Sequence, residues 1–439
     1  MIAWVVMLHG TVAWGAPRHE GPPPLELSVG EADPLHFGLG ASVWLRGEVR
    51  AESGEPTFVI PARTRAQVEA RWRGLRSFVQ FQDVRRWGSS ADLTTSATTG
   101  LHQGYLELSG RWGAASGFIR VGRQQHFLGS MRVMGIAPWN PNMRSLDALR
   151  VHGEHGPFSF DVAGALLRPP ETLELVDDTG DAYQVRHRGE GLLTAAARAQ
   201  VHRAFDLEGY ALLRSYAPTV DDPTRDRLVF SPGGRLLGQP WRGLHYELEG
   251  YVQSGRWDGV PHAAWLGAAT VGYAWERGPR PQVEGGYVAA SGGRCDRVGD
   301  QVVCNREVHR DFDGLLGARH RFYGVADLFA PTNAHDGWVG ARVSPGGWTE
   351  LRAELHHFAL HDPTGRWLRT NEAPVGSGPD PDNRQRTLGE EVDLRASLHP
   401  WGPLTLQAGH AVFVPTGAGR GLVGTRPLQF GYLLVELAF

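Results

Sequence analysis

The sequence predicts an all-β fold, a single antiparallel β-barrel of about 18 strands that crosses a membrane. Three observations carry that prediction. A hydrophobic period of two runs from residue 35 to the last residue, long and short connections alternate between the segments, and the chain stops at Phe439 on an apolar strand. The composition agrees: 58 Gly and 15 Trp stand among few strong helix formers. A hydrophobic content of 41% excludes disorder, and no apolar run approaches the ~20 residues of a membrane-spanning helix.

In chain order, Met1 to Gly15 reads as an export leader, a signal peptide. Ile2 to Leu8 is apolar, and Ala13-Trp14-Gly15 before Ala16 has the small-x-small form of a cleavage site, although no basic residue lies near Met1. The mature chain, 16–439, reads as one barrel domain, with no composition shift to mark a boundary. From Leu35 to Arg50 one face carries Leu35, Phe37, Leu39, Ala41, Val43, Leu45 and Val49, and the other carries His36, Ser42, Trp44, Arg46, Glu48 and Arg50. The next segment alternates Ala62, Thr64, Ala66, Val68, Ala70 and Trp72 with Arg63, Arg65, Gln67, Glu69, Arg71 and Arg73. Such alternation describes a strand with one apolar and one polar face. It recurs in Ala204 to Ser215, Gly243 to Ser254, Ala263 to Glu276, Thr349 to Leu360, Leu388 to His399 and Leu404 to Val414.

Long polar connections at 51–61, 85–100, 125–144, 168–190, 291–336, 361–386 and 415–427 alternate with short ones such as Gly74, 154–156, 202–203 and 400–402. Short periplasmic turns and long extracellular loops are the pattern of an outer-membrane barrel. Closure is then required, because lipid satisfies no backbone N–H or C=O. Trp44, Trp72, Trp265 and Trp275 are candidates for the aromatic girdles. Leu433, Val435, Leu437 and Phe439 share one face of the last strand, and a terminal Phe there resembles an assembly signal of outer-membrane proteins. Cys295 and Cys304, nine positions apart in a polar loop of an exported chain, are expected to form a disulfide.

The polar faces line the lumen, so their composition is the functional signal. All 44 basic residues are Arg, and the formal net charge of −3 gives no support to nucleic-acid binding. On the first two strands Arg46, Arg50, Arg63, Arg65, Arg71 and Arg73 face only Glu48 and Glu69, whereas Asp177, Asp178, Asp181, Glu372, Asp380 and Asp382 fall in the proposed outer loops. The expectation is an electropositive, anion-selective pore wall. The plainer alternative is that lumen Arg and Glu pair across strands to stiffen the barrel.

Four segments sharpen this. They are Gly122-Arg123-Gln124 with Gly129, Arg132, Trp139, Arg144 and Asp147; Glu249 to Gly255; Phe322 to Leu328; and Leu388 to Leu394. Their order and spacing resemble the alginate export family of outer-membrane barrels. That resemblance implies an eighteen-stranded barrel with an Arg-lined constriction through which an anionic polysaccharide leaves the cell. It places Arg123, Arg132 and Arg144 at or near the constriction, with Asp147 orienting one of them. Glu391, Asp393 and Arg395, on one face of their strand, would form a matching charge network, and the loop 125–144 would fold inward.

The function expected is export of a uronate-type polysaccharide. The alternative is a substrate-selective porin for uptake of small organic anions or oligosaccharides. The expected partners are the anionic polymer, outer-membrane lipid and a periplasmic scaffold of a secretion complex, around a monomer with no cofactor. Enzymatic readings are poor: no spacing singles out a triad, and His356, His357, His361 and Asp362 straddle a strand end without sharing a face. Gly417 to Gly421 resembles a phosphate loop only superficially and reads as a turn.

Overall fold

Alternation along the chain is realised as eighteen strands hydrogen-bonded in sequence order. The computed structural model describes residues 25–29, 34–52, 55–88, 98–176, 180–220 and 222–439. The expected leader and cleavage site, Asp177 and Asp178 lie outside these residues. The barrel strands are Leu35–Ala51, Thr57–Trp72, Leu75–Gly88, Thr98–Trp112, Ala115–Gln124, Leu146–His155, Phe158–Arg168, Glu190–His202, Phe205–Tyr216, Arg227–Gly238, Leu244–Trp257, Val260–Ala274, Gln282–Ala290, Ala334–Val343, Thr349–Leu360, Thr387–Trp401, Leu404–Pro415 and Leu428–Ala438. Every neighbouring pair is antiparallel, and the last strand pairs the first from Ser42↔Ala438 to Ala51↔Gln429. The Phe439 amide donates to the Ala41 carbonyl at 2.8 Å, and the Ala41 amide donates to the Phe439 carbonyl at 3.0 Å. A short strand, Leu25–Val29, pairs with Leu35 to Leu39 and continues the line of the last strand beyond Phe439.

The period of two sets the two faces. Val43, Leu45, Val49, Val68, Leu106, Leu108, Ile119, Leu149, Leu355, Val392, Leu394 and Val435 point outward with 43–62% of their surface exposed, an apolar belt suited to acyl chains. Trp72, Trp265 and Trp275 belong to that outer surface. Trp44 does not: it is 3% exposed and packs inside, as its even parity with Arg46 requires.

The two ends of the barrel differ. Turns as short as Arg73-Gly74 close one end, and Arg73 there adopts a left-handed backbone (φ 52°). The other end carries the long connections, apart from a two-residue turn at Asp258-Gly259. Gly417–Val423 forms a short α-helix, where the sequence reading expected a turn. Cys295 and Cys304 are joined by a disulfide across a two-stranded hairpin, Cys295–Val298 with Gln301–Cys304, within the longest loop.

Candidate functional site

The loop-end half of the lumen is filled by the chain itself. Leu128, Val133 and Met134 from the loop after Gln124 pack against Phe312, Leu315, Tyr323, Val325, Leu328 and Phe329 from the loop after Ala290, with Trp367 from a third. Wall residues Leu212, Tyr251, Phe358, Phe413 and Phe430 complete this core. Each large side chain buried in this way contributes about 1.5–3 kcal/mol. The first two loops also bond to each other, with the Gly135 amide on the Leu316 carbonyl at 2.9 Å and the Leu316 amide on the Val133 carbonyl at 3.0 Å. The expected inward fold of 125–144 is therefore present, and it is shared with a second loop that the sequence did not single out as inward.

The four family-like segments prove to be plugs and their sockets. Arg132 on the first loop meets Glu249 of the wall at 3.1 Å, and its Nη1 donates to Tyr323 Oη at 3.3 Å. Ser130 also donates to Glu249. Burial opposes the Arg132 charge, but Tyr323 and Glu249 outweigh it and hold the group above its ordinary pKa. Gly129 (φ +51°) lies against Tyr210, whose hydroxyl would sit 2.3 Å from any Cβ there. Gln253 accepts from the Asp313 amide and donates to its carbonyl, both at 2.8 Å. The Val325 amide donates to Asp393 at 3.0 Å and the Ala326 amide to Glu391 at 2.9 Å. Segments distant in sequence thus meet: the wall segment Glu249 to Gly255 holds both inward loops, and Leu388 to Leu394 holds the second.

Arg144 belongs to the same construction. It donates to the carbonyls of Gly135 and Leu316, and burial beside Arg319 and Arg214 lowers its pKa to about 10. Met131 (φ 73°), Ala137 (φ 49°) and Met143 (φ 51°) hold left-handed backbone in this loop, a strain that the surrounding contacts sustain.

Arg46, Arg63 and Arg65 do point inward, on adjacent strands, and all three are at most 3% exposed. The inward loop covers them: Arg46 donates to the Trp139 carbonyl at 2.9 Å, Arg63 approaches the Pro141 carbonyl at 3.5 Å, and Gln82 donates to the Asn142 carbonyl at 3.1 Å. The ring of Trp139 lies 3.5 Å from the Arg46 guanidinium and stacks on His320. Arg65 is held by Gln82 at 2.8 and 2.6 Å and by His102 at 3.0 Å. Among the described residues, Arg63 Nε and Arg65 Nη1 are buried without a hydrogen-bond partner.

Several expectations need correction. The six-to-two excess of arginine does not persist in space. Glu48 takes Arg46 at 2.6 Å, Glu436 reaches Arg63 at 3.3 Å across the seam, and Glu69 takes both Arg71 and Arg76. Glu436 was legible: it is the one charged residue on the inward parity of the last strand. Arg71 is half exposed near the turn end, and Arg73 lies outside the strand in the turn, over the Trp72 ring. Arg123 and Asp147 form an ion pair at 3.3 Å on the outer face, because their strands turn Arg120, Gln124, Leu146 and Ala148 inward. They do not line the lumen. Arg395 shares the inward face of its strand with Glu391 and Asp393 and pairs with Glu354 of the neighbouring strand.

The turn-end half is built differently. Its inward charges pair from wall to wall: Arg120 with Glu107 at 2.7 Å, Arg150 with Asp161 at 2.8 Å, Arg198 with Asp206, and Arg235 with Glu247 at 2.8 Å.

The family model described as "Alginate export" matches residues 47–421. Among solved structures, the chain resembles Acinetobacter baumannii OccAB4 (TM-score 0.60, 10% identity, covering 92% of this chain and 98% of that one). It also resembles Pseudomonas aeruginosa OccK5 (OpdH; TM-score 0.56, 11% identity, 91% and 98% covered) and Pseudomonas aeruginosa OccD3 (OpdP; TM-score 0.56, 10% identity, 92% and 91% covered). No curated protein matches.

Proposed function

The chain belongs to the alginate export family and is an outer-membrane channel, and from that premise we propose that it passes an anionic, uronate-type polysaccharide outward over arginines of its lumen. The observation that supports this most is the Arg46, Arg63 and Arg65 cluster under residues 139–142. Backbone carbonyls there take acceptor positions that a carboxylate would fill more strongly, since a guanidinium accepts two oxygens at once. A passing chain would replace the carbonyls of 139–142 one contact at a time, and weak, spaced contacts favour release over capture. In this reading the loop is a gate. Its retraction exposes the buried guanidinium nitrogens, and its return restores the seal. The barrel acts as a monomer docked to a periplasmic scaffold, uses no cofactor and catalyses no reaction.

Uptake of small organic anions is the second reading, favoured by the loop-filled upper lumen, which suits a small solute better than a polymer in the state described. Planar-bilayer recordings separate the two. Export predicts anion selectivity, block by uronate oligomers and a larger conductance when 139–142 is deleted. Arg63→Glu should lower anion selectivity severalfold, whereas Arg123→Glu, on the outer face, should leave it unchanged. Cation selectivity of the unaltered channel would remove the proposal.

A further inference from the structure

We propose that the slot filled by Trp139 is a pyranose-binding subsite, and that the flap carrying Trp139 is a tethered stand-in for one uronate unit of the polymer. This rests on the reading of the channel as a uronate exporter and adds the place where a sugar ring is held. The flap runs from Ala137 to Met143. Its stem is closed by the Arg144 amide on the Ile136 carbonyl at 2.8 Å, and both its ends, Ala137 and Met143, hold left-handed backbone. Within it the Asn140 amide donates to the Ala137 carbonyl at 3.0 Å and the Met143 amide to the Asn140 carbonyl at 2.9 Å, so the flap is a self-contained turn. Two strained residues at its ends mean that contacts with the wall keep it in place.

Those contacts have the chemistry of a bound sugar acid. The Trp139 ring lies between the Arg46 guanidinium, 3.5 Å from the ring centre, and the His320 ring, 3.7 Å away and within 6° of parallel. Tyr432 and Phe430 meet it edge-on, with ring centres at 4.8 and 6.4 Å. His320 is itself held by Asp327 at 2.8 Å. The slot is thus one ring thick, with flat walls and an aromatic edge. The arginines beneath the flap divide their donors alike. Arg46 directs Nε to Glu48 and Nη1 to the Trp139 carbonyl, and Arg63 directs Nη2 to Glu436 and Nη1 to the Pro141 carbonyl. On the third strand Gln82 donates to the Asn142 carbonyl. A ring followed by acceptors over three adjacent strands is the pattern of a linear uronate chain: one pyranose in the slot, its carboxylate on Arg46, and the next carboxylate at Arg63. A lone aromatic acid would answer only the first of these. Arg65 donates to Gln82 and to His102, neither of them anionic, so among these described contacts three guanidiniums meet two carboxylates, Glu48 and Glu436, and a ligand carboxylate is favoured.

Block of the full-length channel by sodium D-glucuronate in planar bilayers tests this, with heat-dependent gel mobility reporting a folded barrel for every variant. A site shared with its own flap binds in proportion to the time it stands vacant, so Trp139→Ala should strengthen block by about tenfold. That gain should vanish when Tyr432→Leu is added and persist when Tyr432→Phe is added, because the edge contact needs a ring. Trp139→Leu, should Trp139→Ala not fold, is expected to give a smaller gain of the same sign. D-glucose, which lacks the carboxylate, should gain nothing. An anion-selective channel in which neither Trp139 variant gains block by D-glucuronate overturns the subsite and leaves the export reading standing, as does a gain that survives Tyr432→Leu or is matched by D-glucose. A gain for indole-3-acetate without one for D-glucuronate would assign the slot to aromatic acids and overturn it equally.

Discussion

The two halves of the lumen use the same residue types for opposite purposes. At the turn end, arginine and carboxylate answer each other across neighbouring strands, as Arg120 answers Glu107, and hold the wall to itself. At the loop end, the wall charges reach inward and hold something else: Glu249 holds Arg132, Glu391 and Asp393 hold backbone amides, and Arg46 holds a carbonyl. A charged residue facing a lumen is therefore no sign of a permeation surface until its partner is known. In this molecule the partner divides a structural ring from a docking site.

That contrast can be broken or sharpened by measurement. The largest effect is expected from Glu249→Ala, which leaves Arg132 buried without its carboxylate and weakens docking of the 125–144 loop by about 3–5 kcal/mol. Hydrogen exchange should rise across that loop while the barrel strands stay protected; equal protection in the variant would mean that the apolar core alone holds the loop. Acid comes next. Burial and Arg150 hold His126 neutral, with its pKa lowered from 6.5 to about 4. Its contribution to docking is complete above pH 6.5 and is lost as the pH falls towards 4, by up to about 3 kcal/mol. Exchange of loop amides, corrected for its intrinsic pH dependence, should show release on acidification, and His126→Gln should flatten that response.

Gly324→Ala ranks third. The residue has φ +79°, and an added Cβ would stand 2.4 Å from Glu391 Oε1, so a loss of about 1–3 kcal/mol is expected in docking of the Phe322 to Leu328 segment. A temperature series of channel noise should show that loop opening earlier than in the unaltered protein. The smallest effect belongs to the turn-end ring. Arg71 is half exposed, and Arg71→Ala should cost less than about 1 kcal/mol, leaving the thermal midpoint of heat-modifiable gel mobility in place. A shift as large as that of Glu249→Ala would erase the distinction between the halves.

The fold was legible because lipid on one side and enclosed polar contacts on the other force a period of two that local sequence displays directly. Even the inward tryptophan could be read from parity, since Trp44 shares its face with Arg46. The site was not legible to the same degree, because its bonds join residues far apart in the chain. Arg63 meets Glu436 through a register that only closure creates, and Arg50 meets the Ala326 carbonyl only through the inward fold of the loop after Ala290. Arg123 shows the other limit: parity along Ala115–Gln124 sends Arg120 inward and Arg123 outward, while motif likeness placed Arg123 at a constriction. The motifs were informative, but what they encode is the docking of loops.

The seam between the first and last strands has a consequence for biogenesis. Until Leu428–Ala438 meets Leu35–Ala51, the growing sheet presents two bare rims of unsatisfied amides and carbonyls, ready to recruit any extended polypeptide. Ring completion therefore joins the segments most remote along the chain and should be the slow step of assembly. A synthetic peptide copying residues 428–439 would compete for that rim and stall insertion.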